Sequence, residues 1–328
     1  MSKVSFFTEV SKELGRGHLM RILVLYNYFI KKNHEVILFI EGDININDYI
    51  LKNINFDKSE WRSNFKSINW ENVNKSSEIL IFDSLLIKQD LVDFIILNVS
   101  NKKVFIDDFQ RNNYKNCFIV DWTVNAEVKY HNHNILKNNF LMLGLDFLIV
   151  RESFYSQAIN GLKNITNNSC TVILGGTDAS NIMEILDEKL FKNFPTIKFK
   201  LINSDSCKIN STNTIIYDWQ DEVNLVKLIN ESDFVISAAG QTLYELLLLN
   251  KKTFPICVAE NQLDDINNLI EIGFIERYYD LFDSRWVEKL ITDINVFKTK
   301  NIEKHFVNEL TIKDGRYNLY KTILNHEL

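Results

Sequence analysis

Short apolar runs rich in β-branched and aromatic residues alternate along the chain with longer stretches whose apolar positions recur at helical spacing. Val4–Phe7 is the first compact apolar run. Between Met20 and Lys31, the positions Met20, Leu23, Val24 and Tyr28 share one helical face. Val36–Ile40, Ile79–Phe82, Val104–Ile106 and Phe118–Val120 are further strand candidates. This strand–helix repetition predicts a parallel sheet covered by helices. The polar stretch Gly42–Lys75 is expected to hold one more strand–helix pair with long loops.

A second half opens near Phe147–Arg151 and repeats the pattern. Thr171–Leu174, Ile197–Ile202, Ile215–Tyr217, Phe234–Ser237 and Phe254–Val258 read as strands; Ile182–Lys192, Thr242–Leu249 and Leu263–Ile272 read as helices. The prediction is α/β: two Rossmann-like domains, over 1–148 and 149–328, with a last helix near Tyr317–Leu324 packing back across their junction. Open parallel sheets take ligands at the carboxyl ends of their strands. Two such domains facing each other across a deep cleft would make the polar loops of both converge.

Composition narrows the classes. The chain has 328 residues, a size for two domains. Hydrophobic residues at 46% and charged residues at 24% describe a folded chain rather than a disordered one. Ten glycines and two prolines exclude collagen-like and linker-rich chains and make each glycine informative. A net charge of -6 gives no reason to expect nucleic acid as the partner. Cys117, Cys170, Cys207 and Cys257 are widely spaced, with no CxxC or Cys/His cluster, so reduced thiols are expected and no structural zinc. The start of the chain lacks the apolar core of a signal peptide, and no run approaches 18 uncharged apolar residues. A cytoplasmic monomer without membrane insertion is the simplest expectation.

Candidate chemistry gathers where predicted strands end. Gly15-Arg16-Gly17-His18 lies between the first strand and first helix. Gly17 there permits close approach of a ligand, and the helix start offers free N–H groups to an anion. His18 is positioned to take a proton from water, or else to pack the turn. Arg21 can bind an anion or form a surface ion pair. Gly175-Gly176-Thr177-Asp178 reads as a phosphate cradle or as a tight turn with a capping aspartate. Ala239-Gly240-Gln241-Thr242 follows a third strand and can receive a diphosphate; Glu245 either completes a capping box with Thr242 or accepts from ribose hydroxyls. Asn261 and Gln262 suit sugar recognition or loop capping. Asp83, Asp107 and Asp108, at strand ends, can orient His18, bind sugar hydroxyls or cap helices. Neither these aspartates nor His131 and His133 form a convincing ligand set, so no metal is expected. Trp61 and Trp70 are expected to pack, and Tyr130 to line the cleft.

Taken in order, the motifs resemble a family. Gly15-Arg16-Gly17-His18-Leu19-Met20-Arg21 resembles the GxGHxxR element of the PseG-type UDP-sugar hydrolases. Phe105-Ile106-Asp107-Asp108 resembles the family's IDD element, and Met142–Asp146 with Val150–Phe154 its G-x-x-Y and LR-x-E-F segment. Leu174–Asp178, Ser237–Glu245 and Ala259–Gln262 resemble its GGSD, AAGST-x-x-E and A-x-NQ elements. The match spans about residues 14–262. The family is similar in fold to MurG, a GT-B glycosyltransferase. The resemblance implies attack of water on the anomeric carbon of a UDP-linked 2,4-diacetamido-2,4,6-trideoxy sugar, with inversion, feeding pseudaminic or related nonulosonic acid synthesis in bacteria. It implies His18 as general base and Asn261 beside the water or sugar. Gly175, Gly176, Thr177, Ala239, Gly240, Gln241 and Thr242 would lie near UDP, Glu245 near ribose, and Gln262 near the sugar. Gly17, Arg21, Asp83, Asp107 and Tyr130 complete the expected substrate contacts. No cofactor is implied. Three positions depart from the pattern. Asp121-Trp122-Thr123-Val124-Asn125 stands where a DQN-like segment is usual, Asp146 stands for Tyr, and Thr177 stands for Ser. A MurG-like transferase using an alcohol acceptor, and a non-catalytic nucleotide-sugar-binding protein, stay open as alternatives.

Overall fold

The computed structural model describes residues 2–11, 15–43, 49–108, 110–131, 138–160, 168–175, 182–202, 208–217, 220–300 and 313–327. The chain divides into two compact units, Met1–Val150 with Ile312–Leu328, and Arg151–Thr311.

In the first unit, β1 (Lys3–Val10) leads through α1 (Gly17–Lys31) to β2 (Glu35–Gly42) and β3 (Phe56–Lys58). Then come α2 (Trp70–Ser76), β4 (Ile79–Asp83), α3 (Gln89–Asn98), β5 (Lys102–Ile106), β6 (Phe118–Asp121), α4 (Ala126–His131) and β7 (Phe140–Leu143). Among the described residues the strands form one parallel sheet ordered β3-β2-β1-β4-β5-β6-β7. The chain steps outward from β1 through β2 and β3, then returns to the other side of β1 as β4. The carboxyl ends of β1 and β4 are therefore the topological switch point, where open parallel sheets hold ligands.

Register on this sheet is marked by a row of phenylalanines. Phe39, Phe7, Phe82 and Phe105 are aligned partners on β2, β1, β4 and β5. Their rings stack with centroids 4.8, 4.7 and 4.9 Å apart. Cross-strand aromatic pairs of this kind contribute beyond their area, and slipping by one residue would turn the whole row to the opposite face. The row lies one residue before Asp83, so it also fixes the level of the strand ends. Trp61 and Trp70 join the same core, as expected. The stretch 42–75 supplies the expected strand and helix as β3 and α2.

The second unit runs through α5 (Glu152–Asn160), β8 (Ser169–Ile173), α6 (Ile182–Lys189), β9 (Lys198–Ile202), β10 (Thr214–Tyr217) and α7 (Glu222–Asn230). It continues as β11 (Phe234–Ala238), α8 (Gln241–Leu248), β12 (Thr253–Cys257), α9 (Leu263–Glu271), β13 (Tyr279–Asp280) and α10 (Trp286–Lys300). The described strands are again parallel, ordered β10-β9-β8-β11-β12-β13, with the switch point between β8 and β11. The helix expected over Ile182–Lys192 ends at Lys189 and tightens into a 3-10 turn over Phe191–Asn193.

The last helix, α11 (Gly315–Asn325), belongs to the first unit. Its Tyr320 ring packs edge-on to Phe29, 5.2 Å between centroids, and Lys102 donates to the carbonyl of Ile323 near its end at 2.9 Å. Gly315 lies so close to Phe147 and Leu148 that a β-carbon would run into their backbone. Gly315→Ala is therefore expected to cost about 1–3 kcal/mol of stability, as overpacking does. Hydrogen exchange should show α11 losing protection first while the amides of β8 and β11 keep theirs.

Candidate active site

α1 opens at the first switch point without a side-chain cap on its first turn. His18 is its second residue and Arg21 lies one turn later, on the same face. Both reach the end of β4. His18 Nδ1 stands 2.8 Å from Asp83 Oδ1. Arg21 donates Nε to Asp83 Oδ2 at 2.7 Å and Nη2 to Asp83 Oδ1 at 2.6 Å, a bidentate fork. Its Nη1 donates to Asp108 Oδ2 at 2.7 Å. Asp83 is completely buried, whereas the His18 side chain keeps 13% of its surface exposed. Among the described residues, no group is bonded to His18 Nε2.

The electrostatics follow from this packing. Burial alone would raise the carboxyls of Asp83 and Asp108, but Arg21, together with His18 and, at Asp108, Arg111, outweighs it and holds each below the usual carboxylate range. Burial would likewise lower Arg21, and the two carboxylates more than reverse it. Arg21 is thus a buried cation held by two carboxylates whose charged form it favours. His18 is set against that fixed arrangement, which makes it the one member with a nitrogen left for chemistry.

A second layer lies beside the first. Asp107 accepts the backbone N–H of Arg111 at 2.9 Å, its Nε at 3.0 Å and the Tyr114 hydroxyl at 2.8 Å. Tyr130 donates its hydroxyl to the Asp107 carbonyl at 3.1 Å and is buried. The sequence reading gave Arg21, Asp83, Asp107 and Tyr130 to substrate contact. All four are buried, and their polar atoms are engaged with one another and with Asp108, Arg111 and Tyr114, as buried polar groups must be. Arg111 was missed, although it stands three and four residues beyond the paired aspartates, a spacing that joins side chains on one turn.

In the second unit the motif loops also lie at a switch point. Gly175 follows β8 with φ of 101°, a backbone state that excludes other side chains without strain. Gly176, Thr177 and Asp178 lie outside the described residues. Ala239 and Gly240 follow β11, and Gly240 starts α8 with no side-chain cap. Gln241 and Thr242 form the first turn. The capping box of Thr242 and Glu245 does not form, because Gly240 is the N-cap and Thr242 already lies inside the helix. Glu245 is instead buried against α5, where Arg151 donates Nε to its Oε1 at 2.8 Å and Nη2 to its Oε2. That pair joins residues 94 apart in sequence, so no local spacing announces it. Gln262 accepts the N–H of Val258 at 2.9 Å, and its amide nitrogen lies 3.8 Å from where a β-carbon on Gly240 would stand. Asn261 is exposed beside it. Of the glycines expected at sharp turns, Gly15 and Gly175 take left-handed φ, whereas Gly17 is helical and Gly240 has an ordinary φ of -107°. At Gly17 there is open space where a β-carbon would stand.

Among the described residues, no group of three or more His, Cys, Asp or Glu is arranged for a metal ion, and no helix is long and apolar enough to cross a membrane. Cys117, Cys170 and Cys257 are buried free thiols.

Asp121, at the end of β6, gives the region a titratable group. Its Oδ1 accepts from Thr123 N at 2.9 Å and Thr123 Oγ1 at 2.6 Å, while its buried Oδ2 has no donor among the described residues. Burial pushes its pKa up to about 6, with the Asp108 charge adding to the rise against the opposing Thr123 and Lys129. A carboxyl raised on folding is stabilising only while protonated, so its contribution is lost as pH climbs from about 4 through about 6. Asp121→Asn should remove this slope. The stability difference between parent and variant is expected to change by about 2 kcal/mol between pH 4 and 7 in urea titrations.

No protein-family model matches the chain. It is 24% identical over 320 residues to an uncharacterised protein of Methanocaldococcus jannaschii, covering 91% of this chain and 64% of that one. It is 25% identical to the Helicobacter pylori pseudaminic acid cytidylyltransferase and UDP-2,4-diacetamido-2,4,6-trideoxy-beta-L-altropyranose hydrolase, covering 80% of this chain and 46% of that one. It is 26% identical to the Campylobacter jejuni UDP-2,4-diacetamido-2,4,6-trideoxy-beta-L-altropyranose hydrolase, covering 84% of this chain and 99% of that one. The chain thus spans less than two thirds of the first two relatives. In structure it is similar to Acinetobacter baumannii MurG, with a TM-score of 0.59 at 12% identity over 99% of this chain and all of that one. It is equally similar to the Neisseria meningitidis UDP-GlcNAc 2-epimerase bound to UDP-GlcNAc, at 0.59, 11% identity and the same coverage. The chain therefore has the two-unit parallel α/β fold of the GT-B proteins and resembles, in sequence, the UDP-2,4-diacetamido-2,4,6-trideoxy-beta-L-altropyranose hydrolases.

Proposed function

We propose that the protein hydrolyses the anomeric C–O bond of a UDP-linked 2,4-diacetamido-2,4,6-trideoxyhexose with inversion, releasing UDP and the free sugar for nonulosonic acid synthesis. The observation that carries this reading is His18. It stands in an uncapped first turn at a switch point, Nδ1 lies against a buried carboxylate, and Nε2 has no partner among the described residues. The similarity to the C. jejuni hydrolase over 84% of the chain supplies the substrate class.

In this reading His18 Nε2 takes a proton as the water oxygen bonds to the anomeric carbon. The C–O bond to the β-phosphate breaks, and its electron pair leaves with UDP. Asp83 steadies the imidazolium that forms. Charge growing on the diphosphate is met by backbone N–H groups at the start of α8, from Gly240 to Thr242, and by the loop Gly175–Thr177. Ala239 closes that turn. Glu245, with lone pairs beyond those facing Arg151, is assigned to ribose, and Asn261 and Gln262 to the sugar or the attacking water. Arg21, Asp107 and Tyr130 serve as the frame behind His18, and Gly17 leaves the helix start open.

Incubation with the UDP-diacetamido sugar, followed by NMR, should show UDP and free sugar appearing together, the sugar first in the inverted anomeric form. Turnover only on addition of an alcohol acceptor would make the protein a transferase instead. His18→Ala is expected to lower kcat by about 10²–10⁴-fold, the usual contribution of a general base. Full activity in that variant would remove His18 from the chemistry.

A further inference from the structure

The loops that follow β11 and β12 are neighbours, because these strands pair in register with Ala238 opposite Ile256. The Ala239 N–H continues the ladder to the Ile256 carbonyl at 2.9 Å. Gly240, next along, is the N-cap of α8 and brings no side chain to it. The N–H groups of a first turn have no partner within their own helix, so this end attracts an anion. The loop after β12 curls in a 3-10 turn over Glu260–Gln262, with the Gln262 N–H on the Ala259 carbonyl at 3.0 Å.

Gln262 is also the N-cap of α9, yet its side chain does not cap α9. It folds back instead, and its Oε1 accepts the Val258 N–H at 2.9 Å. That bond settles which end of the amide is which. A backbone N–H can only donate, so the atom it meets is the oxygen, and the NH2 group is left on the other side. Nε2 comes to 3.8 Å from where a β-carbon on Gly240 would stand. Among the described residues, no group accepts from it. A serine or aspartate, common at an N-cap, would put an oxygen beside both the helix start and this amide. Glycine leaves both sets of donors to a ligand.

We propose that Gln262 donates from Nε2 to the diphosphate, adding a side-chain donor to the N–H groups at the start of α8. The ligand class, a nucleoside diphosphate, rests on the function assigned above. Nε2 carries two hydrogens, so one on the phosphate leaves the other for the sugar joined to it. Charge grows on that phosphate as the C–O bond breaks, and a donor already held in place meets it without rearrangement.

Two variants separate this role from merely holding the turn. Gln262→Glu keeps an oxygen for the Val258 N–H and replaces the NH2 group with a second acceptor. Gln262→Met has about the same length and neither group. Circular dichroism checks that each is folded, and NMR titration of UDP and of uridine gives the affinities. Each variant is expected to bind UDP at least about tenfold more weakly, the size of one hydrogen bond to a charged group. The Kd for uridine, which has no phosphate, should not change. Unchanged UDP affinity in either folded variant, or an equal loss for UDP and uridine, overturns the proposal. A parent that binds neither compound ends the nucleotide-sugar reading and this proposal together, whereas UDP binding that ignores Gln262 ends this proposal alone.

Discussion

A guanidinium cannot shed its charge, so burying Arg21 obliges the fold to bring anions to it. Two arrive from different places: Asp83 from the end of β4 and Asp108 from the turn after β5. An indole from the turn after β6 covers the face. One side chain of α1 thus ties the helix to three consecutive strand ends. Removing either carboxylate would strand a buried cation, a far larger penalty than the pair's net worth. The region is stiff for this reason, and His18, one helical turn away, inherits the stiffness. The exposed edge of its imidazole is left as the part free to react.

The sheet makes that arrangement repeatable. Parallel strands put all their carboxyl ends on one side, and a chain that winds outward and then returns leaves a gap in loop coverage at the switch point. The stacked phenylalanines hold β2, β1, β4 and β5 in register just below the strand ends, so Asp83 appears at a fixed height relative to α1. The second unit uses the same topology, with glycines in place of charged side chains. Gly175 bends sharply after β8, and Gly240 precedes α8 without a side-chain cap on its first turn. Elsewhere lysines cap the ends of elements. Lys103 donates to the carbonyl of Val99 after α3, and Lys251 to that of Ser232 after α7. Burial draws the Lys251 pKa down to about 8.

Much of the fold was legible because its signals are local. Apolar runs such as Val36–Ile40 or Phe254–Val258 have the length and branching of buried strands, and α1 has the period of an amphipathic helix. The least readable stretch, 42–75, has a strand of three residues, Phe56–Lys58, too short to show a period. The position of the candidate site was legible for the same reason. Glycine-bearing loops after apolar strands can be seen in the sequence, and strand ends are where ligands go.

What each residue does there was not legible, because the partners are remote. Arg151 and Glu245 are 94 residues apart, Arg21 and Asp108 are 87 apart, and no spacing rule links them. Glu245 read as half of a capping box or as a ribose acceptor, yet the helix starts earlier and Arg151, just before α5, pairs with it. Trp122 stood out only as part of a segment that departs from the family pattern, and packing sets its ring on Arg21. The sequence by itself determined the alternation of strands and helices, the loops that close each strand, and the histidine within one of them. Only the tertiary structure decided which charges share a buried space. Electrostatic pairing depends on distance through the folded interior, and the order of strands in the sheet sets that distance.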